Sequence, residues 1–346
     1  MVQRNRRGGR QNSSGAAGFL LVILLVSAVL VGGEAWLVLT PYGPESETFV
    51  NIPPGSSVSA IGRRLQSAGI IRSRIAFDLL RWVQRGTLEA GTYRFDHPQP
   101  AMTVYTRIAR GDVYTRALVV PEGANVFDIA ARVEEAGFCS RQQFLDAVVG
   151  QTALIANLDP GAASLEGYLF PDTYRFPPVA SATQIVATMV RRFRQVAAQL
   201  GLNQNVHQTV TLASLIERET AVDADRPLVA SVFENRLAQG MPLRTDPSVI
   251  YGLELKGLWR GTIYESDLSR DTPYNTYLHA GLPPGPVANP GIASLRAAMH
   301  PAKTNYLYFV AASLDAQGQS RFASTLAEHD RNVEIYRRAQ KKAGER

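Results

Sequence analysis

The run "GAAGFLLVILLVSAVLVGG", Gly15 to Gly33, contains no charged residue. It approaches the roughly 20 apolar residues with which an α-helix crosses the hydrocarbon core of a bilayer. Such a segment has few other folds open to it, because a backbone in lipid must satisfy its own hydrogen bonds and a helix does so internally. Arg4, Arg6, Arg7 and Arg10 precede the run, Glu34 follows it, and Trp36 is placed as an interfacial anchor. The positive-inside rule then keeps the N-terminus cytoplasmic and puts the bulk of the chain on the far side of the membrane. A cleaved signal peptide is the alternative, but its apolar core usually spans about 7–15 residues, shorter than this run. The expected layout is a basic tail over 1–14, a retained anchor over 15–39 and an exported remainder.

The tail arginines account for four of the six net positive charges of the 346-residue chain, so the exported part is close to neutral. The tail also lacks the interleaved aromatics of a nucleic-acid-binding arm, so no nucleic-acid partner is expected. Cys139 is the single cysteine, which excludes an intramolecular disulfide and a cysteine-based metal site. His97, His207, His279, His300 and His329 are scattered, with no pair at the spacing of a zinc site. No metal or organic cofactor is expected.

"VNIPPGSSVSAIGRRLQSAGI" from Val50 and "LVVPEGANVFDIAARVEEAGF" from Leu118 form an internal repeat, 68 residues apart. Pro53 matches Pro121, Gly55 matches Gly123, Ile61 matches Ile129, and Ala68-Gly69 matches Ala136-Gly137. Each copy reads as a short strand, a Pro/Gly turn and a helix closed by glycine. Two copies are too few for a solenoid and predict small α/β modules over 45–115 and 116–160. The first copy resembles a LysM-like module, a type that binds N-acetylglucosamine-containing polymers; the alternative is a spacer. "EAGTYRF", Glu89 to Phe95, reads as a strand with its turn.

Beyond this, 161–346 predicts a larger mixed α+β domain. "LEGYLFPDTYRFPP" from Leu165 reads as a loop or edge strand. Helices are expected over Ala182 to Leu200, Val206 to Val222, Asp225 to Gln239 and Ser324 to Ala339, and "NYLYFVAAS" as a strand. Met241 to Gly291 is rich in Pro, Gly, Tyr and Asn with little periodicity, and long irregular segments of compact domains are usually functional.

The chemistry concentrates in "TLASLIERETAVDADRPL", Thr211 to Leu228. Residues three and four apart share a helix face, so Leu212, Leu215, Ile216 and Val222 make an apolar stripe with Glu219 inside it. Burial raises a carboxyl pKa, as a general acid requires; alternatively Glu219 is structural and pairs with a base such as Arg236. A glycoside hydrolase needs a second carboxylate. Glu217 points elsewhere, and Asp246, Asp172 and Glu166 remain possible, although aspartates beside prolines also cap turns. Tyr168, Phe170, Tyr174, Trp259, Tyr264, Tyr274 and Tyr277, with Asn275 and Thr276 among them, offer flat apolar faces beside polar groups, which suits sugars.

"ASLIERETAVDADRPLVASVFENRL", "MPLRTDPSVIYGL", "TPYNTY", "GLPPGPVANPG", "HPAKTNYLYFV", "EGYLFPDTY" and "EAGTYRF" together resemble the endolytic murein transglycosylases of the MltG, or YceG-like, family, over nearly the whole chain from the apolar run onward. The resemblance implies a single-pass protein of the bacterial inner membrane, with a LysM-like portion and a lytic transglycosylase domain facing the cell wall. The family's catalytic glutamate is the second acid of an "EKET" motif, here "ERET", so the role falls to Glu219. "PYNTY" is similar to a cleft motif of other lytic transglycosylases. It implies glycan contacts at Tyr274, Asn275, Thr276 and Tyr277, and at Tyr168 in the aromatic cluster, with Asp246 and Glu217 assisting. The implied reaction needs one carboxyl: Glu219 protonates the leaving N-acetylglucosamine oxygen, then takes the proton of the muramoyl 6-hydroxyl as a 1,6-anhydro ring closes. The implied partners are peptidoglycan strands and penicillin-binding wall synthases. A muramidase-type hydrolase and a non-catalytic, membrane-anchored glycan-binding protein are the competing readings.

Overall fold

The structure, a computed structural model, describes residues 13–84, 86–312 and 318–344. The first twelve residues of the expected tail lie outside that set. The chain is mixed α+β and divides into two compact units, Met1–Thr115 and Arg116–Arg346, each with its own apolar core.

The first unit begins with helix α1 (Ser13–Leu39). Its stretch Phe19–Leu39, 21 residues, is long and apolar enough to cross a membrane, and Phe19 to Val26 are exposed, covered by no protein. Strand β1 (Thr48–Ile52), helices α2 (Val58–Ser67) and α3 (Arg74–Val83), and strand β2 (Gly91–Phe95) follow, then helix α4 (Ala101–Arg110). The strands pair antiparallel, Val50 opposite Tyr93. Ser57 and Ser73 cap α2 and α3 by accepting from the amides of Ala60 and Ala76. Ile52, Ile61, Leu65, Phe77, Tyr93 and Tyr105 fill the core.

The second unit opens on the same plan: strand β3 (Arg116–Val119), helices α5 (Val126–Glu135) and α6 (Arg141–Gly150), and strand β4 (Thr173–Phe176). Leu118 and Tyr174 stand opposite each other, as their counterparts Val50 and Tyr93 do. Gly55 and Gly123 both take φ +76° in the turn after the first strand, a left-handed conformation that glycine adopts freely. The sequence repeat therefore extends to a complete strand–helix–helix–strand unit. Both return strands read Thr-Tyr-Arg-Phe, at 92 and at 173, which is 81 residues apart instead of 68. The second copy thus carries a net insertion of 13 residues (81 − 68) before its closing strand, and the segment expected as a loop or edge strand closes this sheet.

Helices α7 (Ala182–Leu200), α8 (Val206–Glu219) and α9 (Arg226–Ala238) come next. They are followed by α10 (Asp246–Leu255), α11 (Glu265–Leu268), α12 (Ile292–Met299), the hairpin β5 (Tyr308–Ala311) and β6 (Ser320–Ala323), and α13 (Leu326–Gly344). Two expectations are corrected here. Met241 to Gly291 is not irregular throughout: Pro247, in the first turn of α10, starts a helix there, a position that needs no proline N–H. Nor does the helix expected over Val206 to Val222 run that far or bury only one stripe. Every residue from Val210 to Ile216 is buried, Thr211 and Ser214 included, and the helix stops at Glu219 with Val222 beyond its end. The helix lies against α9, α10 and α12, so it is the central rod of the unit and Glu219 is its last residue.

Candidate active site

Buried polar contacts hold α8 in place. Ser214 Oγ donates to the Thr211 carbonyl at 2.7 Å and accepts from the Val287 amide at 3.0 Å. Asn289, in the same "GLPPGPVANPG" segment, accepts from the Leu169 amide at 2.8 Å and donates to Ala124 O at 2.9 Å and Glu166 Oε1 at 2.8 Å. That motif therefore clamps the inserted segment and the start of α5 to α8. At the C-terminal end of α8 the chain turns into extended Thr220, which leaves Glu219 at the wall of a cleft of about 650 Å³.

Around Glu219 the cleft is lined by Asp246 and Ile250 of α10, Tyr277, Phe233 and Arg236 of α9, and Tyr308 and His329 from the last hairpin and helix. Burial pushes the Glu219 carboxyl up from 4.5 to about 7, and the negative charge of Asp246 adds to the shift, while Arg236 and Arg218 oppose it. The carbonyl end of a helix carries partial negative charge, so the position of Glu219 also disfavours ionisation. Among the described residues no side chain hydrogen-bonds this carboxyl. Arg236, its expected structural partner, instead donates to the carbonyls of Leu307 and Leu243, both at 2.7 Å. The carboxyl is thus free to meet a ligand, and it keeps its proton near neutrality.

The residues expected beside Glu219 divide. Asp246 and Tyr277 line the cleft, and Tyr277 Oη donates to Asp246 Oδ1 at 2.7 Å. The other expected residues do not line it. Glu217 is saturated by Arg226 Nη1 at 2.8 Å and the Gly291 amide at 2.9 Å, in a pair whose side chains are 5% and 6% exposed. Tyr168 is buried in the core, its ring edge-on to Phe193 and its hydroxyl on Asp159. Asn275 is buried, donates to the carbonyls of Leu268 and Arg270 and accepts from the Tyr277 amide, so it shapes the turn that presents Tyr277. Thr276, also buried, bonds Ser248 Oγ and the Thr245 amide, and so fixes the start of α10. Tyr274 packs edge-on against Tyr251 at 5.0 Å.

Neither remaining carboxylate candidate faces Glu219. Glu166 is buried; burial raises its pKa to about 8, and it accepts from Asn289 and the Val126 amide. Asp172 pairs with Arg192 at 2.8 Å. Arg244, Tyr308 and His329 also line the cleft; the first two lie within the motifs "MPLRTDPSVIYGL" and "HPAKTNYLYFV" but are not among the expected site residues, and His329 lies outside any motif. Arg244 holds φ +51°, a left-handed strain of the kind that clusters at functional sites, and only three-dimensional structure reveals it.

Fold and site together define a class: an α+β protein with one candidate membrane helix among the described residues and a cleft whose wall carries the carboxyls of Glu219 and Asp246. The chain belongs to the YceG-like family, whose model matches residues 50–335. It is 35% identical over 336 residues to the endolytic murein transglycosylase of Bacillus subtilis (strain 168), covering 90% of this chain and 91% of that protein. It is 29% identical over 357 residues to the enzyme of the same name from Streptococcus pneumoniae (strain D39), covering 91% of this chain but 64% of that longer protein. A crystal structure of a yceG-like protein from Listeria monocytogenes superposes with a TM-score of 0.54 at 32% identity, covering 83% of this chain and 99% of that one.

Proposed function

We propose that this chain is an endolytic murein transglycosylase, a membrane-anchored lyase that cleaves the β-1,4 bond between N-acetylmuramic acid and N-acetylglucosamine inside peptidoglycan strands. The observation that carries the mechanism is the Glu219 carboxyl, open to the cleft and held up to about 7. As the neutral acid it donates its proton to the departing glycosidic oxygen. The muramoyl 6-hydroxyl then closes on its own anomeric carbon, and the Glu219 carboxylate accepts the hydroxyl proton, which regenerates the acid. No water is activated, so one carboxyl serves both steps, and the tethered nucleophile has the proximity advantage of an intramolecular reaction. Asp246, held by Tyr277, faces the positive charge that develops at the anomeric carbon, and Tyr277 and Tyr308 supply faces for the sugar rings. The small first-unit module, LysM-like in pattern, is proposed to engage the same glycan, and the anchor places the reaction at the outer face of the inner membrane, beside penicillin-binding synthases.

Mass spectrometry of peptidoglycan digested by the full chain and by Glu219→Gln tests this reading. Products ending in 1,6-anhydro-N-acetylmuramic acid, absent with the variant, are expected. Reducing ends would instead make the enzyme a hydrolase with Asp246 as its second carboxylate, and equal cleavage by both proteins would remove Glu219 from the chemistry.

A further inference from the structure

Helix α3 is apolar on two sides. Ala76, Phe77 and Leu80 are buried in the core of the first unit. Ile75, Leu79, Trp82 and Val83 follow the i, i+4, i+7, i+8 spacing of a second stripe and are 60%, 47%, 83% and 72% exposed. The outer face of a helix on a soluble module is normally polar, and a contiguous exposed apolar patch marks an interaction surface.

The patch is continuous with α1. A groove of about 460 Å³ runs between them, lined by Val38 and Leu39 of α1, Leu79 and Val83 of α3 and Met102 of α4, with Glu34 its one charged group. The helices are also tied together. Arg72, just ahead of α3, donates to Thr40 Oγ1 at 2.5 Å and Pro41 O at 3.4 Å, where α1 ends. Its guanidinium lies 4.4 Å from the ring centroid of Trp36 and 5.0 Å from that of Tyr42. The module is therefore docked on the end of α1, not hung from it by a free linker, and the outer stripe of α3 begins where the apolar surface of α1 ends.

We infer that α3 lies in the membrane interface, its Ile75–Leu79–Trp82–Val83 face buried in the leaflet from which α1 emerges, with a lipid acyl chain in the groove. The inference rests on reading α1 as a membrane span. An interfacial helix sinks its apolar face about 5–10 Å into the headgroup–acyl boundary and favours tryptophan there. Arg74 and Arg81 flank the apolar face of α3, and long basic side chains in such positions can lay their stems on apolar surface while the charged ends stay in water. Protein partners fit less well, because a partner would have to reach a groove whose other wall is the membrane helix itself.

The three tryptophans Trp36, Trp82 and Trp259 allow a test on the full chain in nanodiscs containing brominated phospholipid. W82F/W259F leaves Trp36 as the reporter of the anchor, and W36F/W259F leaves Trp82. The expected result is quenching of Trp82 to the same extent as Trp36. Quenching of Trp36 while Trp82 is unquenched would overturn the inference and leave the anchor intact. An unquenched Trp82 with blue-shifted emission would also overturn it, by placing a second copy or another protein on the face. A chain that fails to enter nanodiscs, or an unquenched Trp36, would remove the anchor and the inference with it.

Discussion

In the proposed mechanism Glu219 joins activity and stability through one proton. Replacing it with Gln should lower turnover by about 100- to 10,000-fold, the usual contribution of a positioned acid, as measured by release of anhydro-muropeptides. In the wild type, kcat/KM should fall as pH rises through about 7, where the free enzyme loses the acid form. The same shift makes a prediction of the same sense for stability. A carboxyl whose folded pKa lies above its unfolded value favours folding below about 4.5, and that contribution is lost as pH rises to about 7. Glu219→Gln escapes the loss, so it should match the wild type near pH 4 and melt higher at pH 8. At about 1.4 kcal/mol per pH unit over 7 − 4.5 = 2.5 units the difference is about 3.5 kcal/mol at most, reduced by water reaching the cleft. Glu217 behaves otherwise, because its partner Arg226 is buried with it. Arg226→Met leaves that carboxylate unpaired and should destabilise the fold by about 3–5 kcal/mol in thermal melts.

The inserted segment between α6 and β4 is tested by Gly167→Ala. Gly167 has φ +86°, and a Cβ there would meet Pro286 Cγ at 2.5 Å and Val210 Cγ1 at 2.8 Å. The clash sits between the clamp segment and α8, so the variant should lose several degrees of melting temperature, and activity should fall because α8 carries Glu219. This junction also marks where the sequence stopped being readable. Helices α7 and α9 were legible because their apolar periodicity and their stop signals, Gly201 and Gly240, are local. Glu219 stands out because it follows a run of apolar residues, and the structure places it on the cleft wall beside Asp246. What could not be read is which polar motif residues serve the cleft and which serve the scaffold. Asn275, Thr276 and Glu217 look like ligand-binding residues in one dimension, yet they are spent on backbone groups that folding brings near. The helical start at Asp246 was hidden for a similar reason, since Pro247 reads as a breaker until its place in the first turn is known.

Two separate cores predict two cooperative transitions in calorimetry of the full chain. Leu65→Ala, in the first core, should shift one transition and Phe193→Ala, in the second, the other, each residue being fully buried and such truncations costing about 2–5 kcal/mol. Moving both together would refute the independence of the units. The duplicated plan has a hazard of its own. With identical Thr-Tyr-Arg-Phe return strands and matching registers, a chain released from denaturant offers each opening strand two equivalent mates. Synthesis from the N-terminus removes the ambiguity, since domains made first fold first: β1 finds β2 before the rival copy has left the ribosome. Correct pairing is then a matter of timing as well as of energy, and a chain refolded all at once should populate crossed, kinetically trapped partners that the same chain avoids while being made.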